Sequence, residues 1–256
     1  MPPPTLPSSP GLTLTPEPLT RTSFAPFGTA IIPPLPHNTT SAPDPLSSHP
    51  KHDLVPEPVA ANQLSALKYS PISPLLNNYP GKCPSGKASE ARMSMFSCFP
   101  RKLRTATTSG GNDTSASLFD VTILERHPYT TQTFSPLALS TDEETIYLVI
   151  VAPTLTGQTA IAETDEGEKV TIRDPPDLSR IKAFWATGAQ AVTYGAGTWH
   201  APMVVVGTRR VDFVVSQFVN GVAEEDCQEV RFPQGLVVEV GSGGTRDEKE
   251  GVKARL

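Results

Sequence analysis

The stretch Ile123-Leu124-Glu125-Arg126-His127-Pro128-Tyr129-Thr130-Thr131-Gln132-Thr133-Phe134 sets the reading of this chain. A strand sends alternate side chains to opposite faces, so this spacing puts Glu125 and His127 on one face and Arg126 on the other. Gln132 follows a turn-prone Pro-Tyr-Thr-Thr. Further along, Tyr194-Gly195-Ala196-Gly197-Thr198-Trp199-His200 delivers a second histidine after a Gly-x-Gly turn, with Met203-Val204-Val205-Val206 behind it. The separation suits two strands that meet in one β-barrel. Two histidines, a carboxylate and an amide would then share a pocket, a set able to do chemistry.

The surrounding sequence supports a mainly β chain. Strands are expected at Phe119–Glu125, Gln132–Pro136, Ile146–Val151, Ile181–Trp185, Ala191–Tyr194, Met203–Val206 and Asp212–Gln217. In Arg92–Phe99, Met93 and Met95 face one way while Ser94, Phe96 and Cys98 face the other. Short strands between turn signals, without a long helical stripe or internal repeat, point to a closed or sandwiched antiparallel architecture. Segment 157–178 reads as acidic and flexible, and Asp177-Leu178-Ser179-Arg180 leads into a strand.

Proline divides the chain. Of 28 prolines in 256 residues, 21 precede residue 101. Each removes a backbone donor and fixes φ. Residues 1–17 therefore read as a disordered arm. A single domain spans 18–240, beginning with a helix-like turn and an opening strand, with a Pro-rich insert at 33–58. Residues 241–256 read as a flexible tail. The compact part is about 170–190 residues, enough for one core.

A net charge of −5, with Lys and Arg scattered, argues against nucleic acid. No apolar run approaches the length of a membrane helix. Cys83, Cys98 and Cys227 form no zinc spacing and suit a reducing, cytoplasmic setting. No secretory signal is expected at the N-terminus, and Ala254-Arg255-Leu256 loosely resembles a peroxisomal tripeptide. Glu224-Glu225-Asp226 reads as a solvated loop, and the polar alternation of Asp212–Gln217 as ordinary sheet patterning.

A lone strand histidine is more often a hydrogen-bonded core residue than a ligand. Here Glu125-x-His127-x4-Gln132 followed by Gly195-x-Gly197-x-x-His200 resembles the two motifs of cupins, which hold a divalent metal with three histidines and a carboxylate. The chain departs from that pattern twice: Glu125 stands for the first histidine and Gln132 for the carboxylate. Glu125, His127, Gln132 and His200 remain a possible metal set, and imidazoles could equally carry protons without a metal.

More specifically, Glu125-Arg126-His127-Pro128 with Gln132 and Phe134, and Gln190-Ala191-Val192-x-Tyr194 with Trp199-His200-x-Pro202, resemble the ureidoglycolate lyase family. Matching pieces include Phe24-x-x-Phe27-Gly28, Asp177-Leu178-Ser179-x-Ile181-x-Ala183-Phe184 and Asp226-Cys227; Leu64 stands where the family pattern leads one to expect glycine. The resemblance covers most of 19–230 and implies a cupin-like double-stranded β-helix, or jelly-roll barrel. It implies cleavage of (S)-ureidoglycolate to glyoxylate and urea in allantoin and purine breakdown. It also implies a homodimer and a response to divalent metal, nickel in particular; the residues by themselves specify no cofactor. His127 and His200 suit proton transfer, Glu125 could orient an imidazole or act as base, and Gln132 and Tyr194 could hydrogen-bond the substrate. Arg126, Asn62 and Lys68 are the candidates for holding its carboxylate, Arg126 being equally readable as structural. Rival readings are a metal-dependent cupin of another reaction type and a non-catalytic binding module.

Overall fold

Ile146-Tyr147-Leu148-Val149-Ile150-Val151-Ala152 is apolar throughout, and a strand with no polar face must be covered on both sides. A computed structural model describes residues 2–7, 11–42, 54–107, 115–139, 145–233 and 235–241. Along the chain these form β1 (Leu12–Leu14), β2 (Glu17–Pro18), a short helix α1 (Arg21–Phe24), β3 (Gly28–Ile31), β4 (Val59–Ala61), β5 (Ala66–Lys68), β6 (Glu90–Cys98) and β7 (Arg104–Thr107). Next come β8 (Ser115–Asp120), β9 (Ile123–Arg126), β10 (Gln132–Leu137), β11 (Ile146–Ala152), β12 (Thr159–Glu163), β13 (Lys169–Arg173) and β14 (Lys182–Ala186). Then follow β15 (Ala191–Tyr194), β16 (Trp199–His200), β17 (Val204–Val206), β18 (Val211–Val219), a short helix α2 (Ala223–Asp226), β19 (Gln228–Arg231) and β20 (Leu236–Glu239).

The apolar strand β11 lies inside a central sheet ordered β19-β9-β16-β11-β14-β2, with β17 also paired to it. Tyr147, Val149 and Val151 pack into one core with Phe24, Phe134, Phe184 and Phe213. Leu148, Ile150 and Ala152 pack into a second with Leu124, Trp199, Val230 and Leu236. The first core is closed by a front sheet ordered β3-β15-β10-β18-β6. The second is closed by a back sheet ordered β1-β20-β8-β7. The fold is mainly β and fits the cupin-like expectation, built from several sheets rather than one closed barrel.

Three expectations are corrected. Phe119–Glu125 is not one strand: β8 pairs in the back sheet and β9 in the central one, with buried Val121 at the crossing. Segment 157–178 contains the hairpin β12–β13 rather than a flexible run, its apolar Ala162 facing the second core. The described residues of 2–17 are not a free arm. Thr5 bridges Arg231 and Glu163, Leu6 is buried, β1 pairs with β20 and β2 with β14. Proline is compatible with this because β2 is an edge strand, where no ladder donor is missed. In the 33–58 insert, 33–42 and 54–58 carry no strand and 43–53 lie outside the described residues, as do 242–256 with the Ala254-Arg255-Leu256 ending.

One glycine is sterically required here. A Cβ on Gly28 would stand 2.0 Å from the Thr193 carbonyl oxygen, so only glycine lets β3 approach β15. The reverse mismatch occurs between β4 and β5. Asn62, Gln63 and Leu64 are all left-handed, Leu64 at φ 72° and exposed, where a residue without Cβ is favoured. Leu64→Gly is therefore expected to stabilise the fold by about 0.5–1 kcal/mol, strain relief exceeding glycine's entropic cost. A urea titration whose midpoint fails to rise contradicts this.

Candidate functional site

The central sheet places β9 between β16 and β19, so His200, Glu125 and Glu229 stand in one row across three strands. His127 follows the end of β9. The Gly195–Gly197 turn holds it, since the Gly197 N–H donates to the His127 carbonyl at 2.8 Å and Gly197 is left-handed at φ 82°. The Gly195 N–H donates to Phe27 O at 2.9 Å, fixing the other side of the turn. From the front sheet, Gln132 lies directly opposite Tyr194, and the Tyr194 ring stacks on His200 with centroids 3.9 Å apart.

Hydrogen bonding decides the form of both imidazoles. His127 Nδ1 lies 2.6 Å from Asp226 O, and His200 Nδ1 lies 3.0 Å from Thr198 O. A carbonyl only accepts, so each Nδ1 carries a hydrogen, and Nε2 is the nitrogen of each ring left to exchange a proton or meet a cation. Both Nε2 atoms are buried without a hydrogen-bond partner. His200 Nε2 is 3.4 Å from Glu125 Oε1, close enough for charge attraction but not aligned as a hydrogen bond. Ligand atoms of Glu125, His127 and His200 all lie within 4.8 Å of one another. Gln132 donates through Nε2 to Gln217 Oε1 at 2.6 Å, which leaves its own buried Oε1 without a partner. The site thus gathers acceptors, an arrangement that calls for a proton, a cation or a donor-bearing ligand.

The titratable groups respond accordingly. Burial pushes the Glu125 carboxyl up, but the imidazoles of His200 and His127 outweigh it, and its pKa falls below the ordinary value. Burial pushes His127 down, the neighbouring His200 adds to this, and hydrogen bonding to Asp226 opposes it only partly. Burial holds the Tyr194 phenol well above its usual range, so it remains protonated and acts as an aromatic platform rather than a base. Burial, followed by the carboxylates of Glu125, Glu229, Asp226 and Glu224, pushes the Cys227 thiol up.

Asp226 is a positioning residue that the sequence reading did not single out. Its carboxylate accepts from Tyr79 Oη at 2.7 Å, Asn220 N at 2.8 Å and Gly221 N at 2.8 Å. The clamped residue then offers its carbonyl to His127. Glu225 is buried, accepting from Ser85 N and Oγ at 2.7 Å and from Asn220 Nδ2 at 2.6 Å. Of the acidic triple expected as a solvated loop, Glu224 is exposed, while Glu225 and Asp226 clamp Tyr79 and Ser85. These partners lie far away in sequence, and the only available signal was the Asp226-Cys227 match.

Arg126, read from the sequence as either a carboxylate holder or a structural residue, has structural partners. It is 5 % exposed and donates to Gln228 Oε1, Asp174 O and Arg173 O, with its guanidinium 4.9 Å from the Trp199 ring. Strand alternation sends it to the face opposite His200. Asn62 and Lys68 are exposed at the β4–β5 hairpin, which pairs with no other described strand. Two surface clefts, one beside Arg21 and Ile72 and one beside Arg104 and Asp120, lie away from the histidines.

Residues 11–239 match the family model described as ureidoglycolate lyase. A ureidoglycolate lyase of Schizosaccharomyces pombe is 36% identical over 210 residues, covering 82% of this chain and 86% of the relative. One from Saccharomyces cerevisiae is 34% identical over 231 residues, covering 88% and 97%. A bacterial ureidoglycolate lyase, from Burkholderia mallei, is 34% identical over 118 residues, covering 46% of this chain and 54% of its own.

Burial and the neighbouring imidazole set where His127 titrates. His127 is expected to stay neutral to a pH below the roughly 6.5 of an ordinary imidazole. His200→Asn removes the neighbouring imidazole that helps hold His127 down and should move that midpoint upward. Histidine-resolved NMR titration reads both, and a His127 midpoint at or above 6.5 would contradict the burial and repulsion described.

Proposed function

We propose that this chain, which belongs to the ureidoglycolate lyase family, cleaves (S)-ureidoglycolate to glyoxylate and urea, a carbon–nitrogen lyase reaction of allantoin and purine breakdown. The observation that carries the site assignment is the pair of buried imidazoles with bare Nε2 atoms beside Glu125. The substrate is a carbinolamine. Its hydroxyl loses a proton, the carbonyl of glyoxylate forms, and the carbon–nitrogen bond breaks as the urea nitrogen takes up a proton. No water is consumed.

His127, kept neutral by burial, is the base for the hydroxyl proton through Nε2. His200, with its Nε2 3.4 Å from Glu125 Oε1, is the group left to return a proton to the urea nitrogen. Gln132 Oε1, an unpartnered acceptor, suits a ureido N–H. Tyr194 sets the plane of His200 by stacking. Ligand atoms of Glu125, His127 and His200 lie close enough together to hold a divalent ion, with Gln132 Oε1 as the proposed fourth ligand, and the ion would supply positive charge for the substrate carboxylate.

Racemic ureidoglycolate should yield equimolar glyoxylate and urea. His127→Ala and His200→Ala should each reduce turnover by about 10²–10⁴. Release of ammonia and CO2 in place of urea would overturn the reaction, and near-normal turnover in both variants would overturn the residue roles.

The partner proposed is a second copy of this chain, seated on β6. This strand ends the front sheet with nine residues, and Met93, Met95 and Phe96 on it are exposed. A long apolar edge presents unpaired backbone groups to another strand, and two copies can pair antiparallel about a two-fold axis. No helix among the described residues is long and apolar enough to cross a membrane, and the sparse free thiols Cys83, Cys98 and Cys227 fit a reducing cytoplasm. Met93→Lys with Met95→Lys should convert dimer to monomer in light scattering coupled to gel filtration. A persistent dimer would move the interface elsewhere.

A further inference from the structure

Glu125 has a second set of neighbours on the side away from His200. In β19, Glu229 lies directly opposite Glu125, and Cys227 precedes it by two, at the spacing that shares a face. Ligand atoms of Glu125, Cys227 and Glu229 all lie within 4.8 Å of one another. Two carboxylates directly opposite on adjacent strands repel, and the nearby guanidinium of Arg126 is turned away to Gln228, Asp174 and Arg173. From the inner side, the unpartnered Nε2 of His200, a residue 1 % exposed, is aimed at the same Glu125 carboxylate. Glu125 is therefore shared between an inner set rich in nitrogen and an outer set containing a thiol.

The two sets differ in access and in chemistry. Glu229 is exposed and Cys227 half-buried, so an ion can reach the outer set without passing the buried histidines. A thiolate selects soft and borderline ions over hard ones. We propose that Glu125, Cys227 and Glu229 form a second cation site for a soft or borderline divalent ion such as Cd²⁺ or Zn²⁺, and that its occupancy inhibits the enzyme by drawing Glu125 away from His200. Binding forms a metal–sulfur bond and releases the thiol proton to solvent. The inhibitory part rests on the proposed lyase function; the binding part does not.

Cd²⁺ alone is the probe, titrated into the full chain while thiolate-to-metal absorption in the ultraviolet and ureidoglycolate turnover are both followed. The inner set has only nitrogen and oxygen ligands and produces no such band. The wild type should show a saturable band at one Cd²⁺ per chain, and Cys227→Ser should lose it. Glu229→Gln should need about tenfold or more Cd²⁺ to reach it. Both variants should turn over substrate like the wild type in the absence of Cd²⁺, yet need about tenfold or more Cd²⁺ for half-inhibition. A band that survives Cys227→Ser comes from Cys83 or Cys98 and overturns the site, as does its absence from the wild type. Equal inhibition of wild type and Cys227→Ser overturns the regulatory part. A Cys227-dependent band in a chain that releases no urea leaves the site standing and removes the lyase reading.

Discussion

Burial of β11 on both faces is the constraint on which the remaining structure depends. Each fully buried aliphatic or aromatic side chain is worth about 1.5–3 kcal/mol, and β11 sends Tyr147, Val149 and Val151 to one core and Leu148 and Ile150 to the other. Exposing either face would remove several kcal/mol from a fold whose net stability is about 5–15 kcal/mol. The strand must therefore lie inside a covered sheet, with neighbours on both edges. One of those neighbours is β16, only two residues long, paired through Val151 with His200 and Ala152 with Trp199. Trp199 enters the second core, so His200 must point the opposite way. A slip of one residue would drive an imidazole into the apolar core and the indole into the site. Trp199 thereby aims His200.

What assembles on the other side is a set of lone pairs rather than a set of complementary partners. Backbone carbonyls at Asp226 and Thr198 take the Nδ1 hydrogens of both rings, so the bare Nε2 atoms face Glu125. Such a site is costly to leave unsatisfied, and the surrounding structure maintains it. Aromatic packing of Tyr194 covers His200, while Tyr79, Asn220 and Gly221 hold Asp226 in place behind His127. The result is an imidazole, His127, kept neutral by burial next to a second one, His200, that faces a carboxylate.

The residues that resisted reading from sequence failed for a common reason. The register of Glu125 with His200 and Glu229, the contact of Asp226 with His127, and the pairing of residues 12–14 with 236–238 all join positions far apart in the chain. Periodicity carries no information about which distant segment will be the neighbour. Arg126 illustrates the difference. Alternation alone placed it on the face opposite His127, while its partners, the Gln228 amide and the carbonyls of Arg173 and Asp174, come from two other strands and a loop. The N-terminal prolines misled in the opposite direction, because proline excludes the middle of a sheet but not a bridge or an edge.

Local chemistry was legible in the sequence because it is written in short-range spacing: a mainly β chain, a strand at 146–151, Glu125 and His127 two apart, and a glycine turn ahead of His200. These follow from the two-residue period of a strand and from glycine's freedom at positive φ. Only the tertiary structure decided that the sheets stack as layers without closing into one barrel. It alone supplied the partners of Arg126, recruited Asp226 behind His127, and set Cys227 and Glu229 on the far side of Glu125. Those outcomes depend on which strands become neighbours, and that is settled by the burial of both faces of β11 acting over the whole chain.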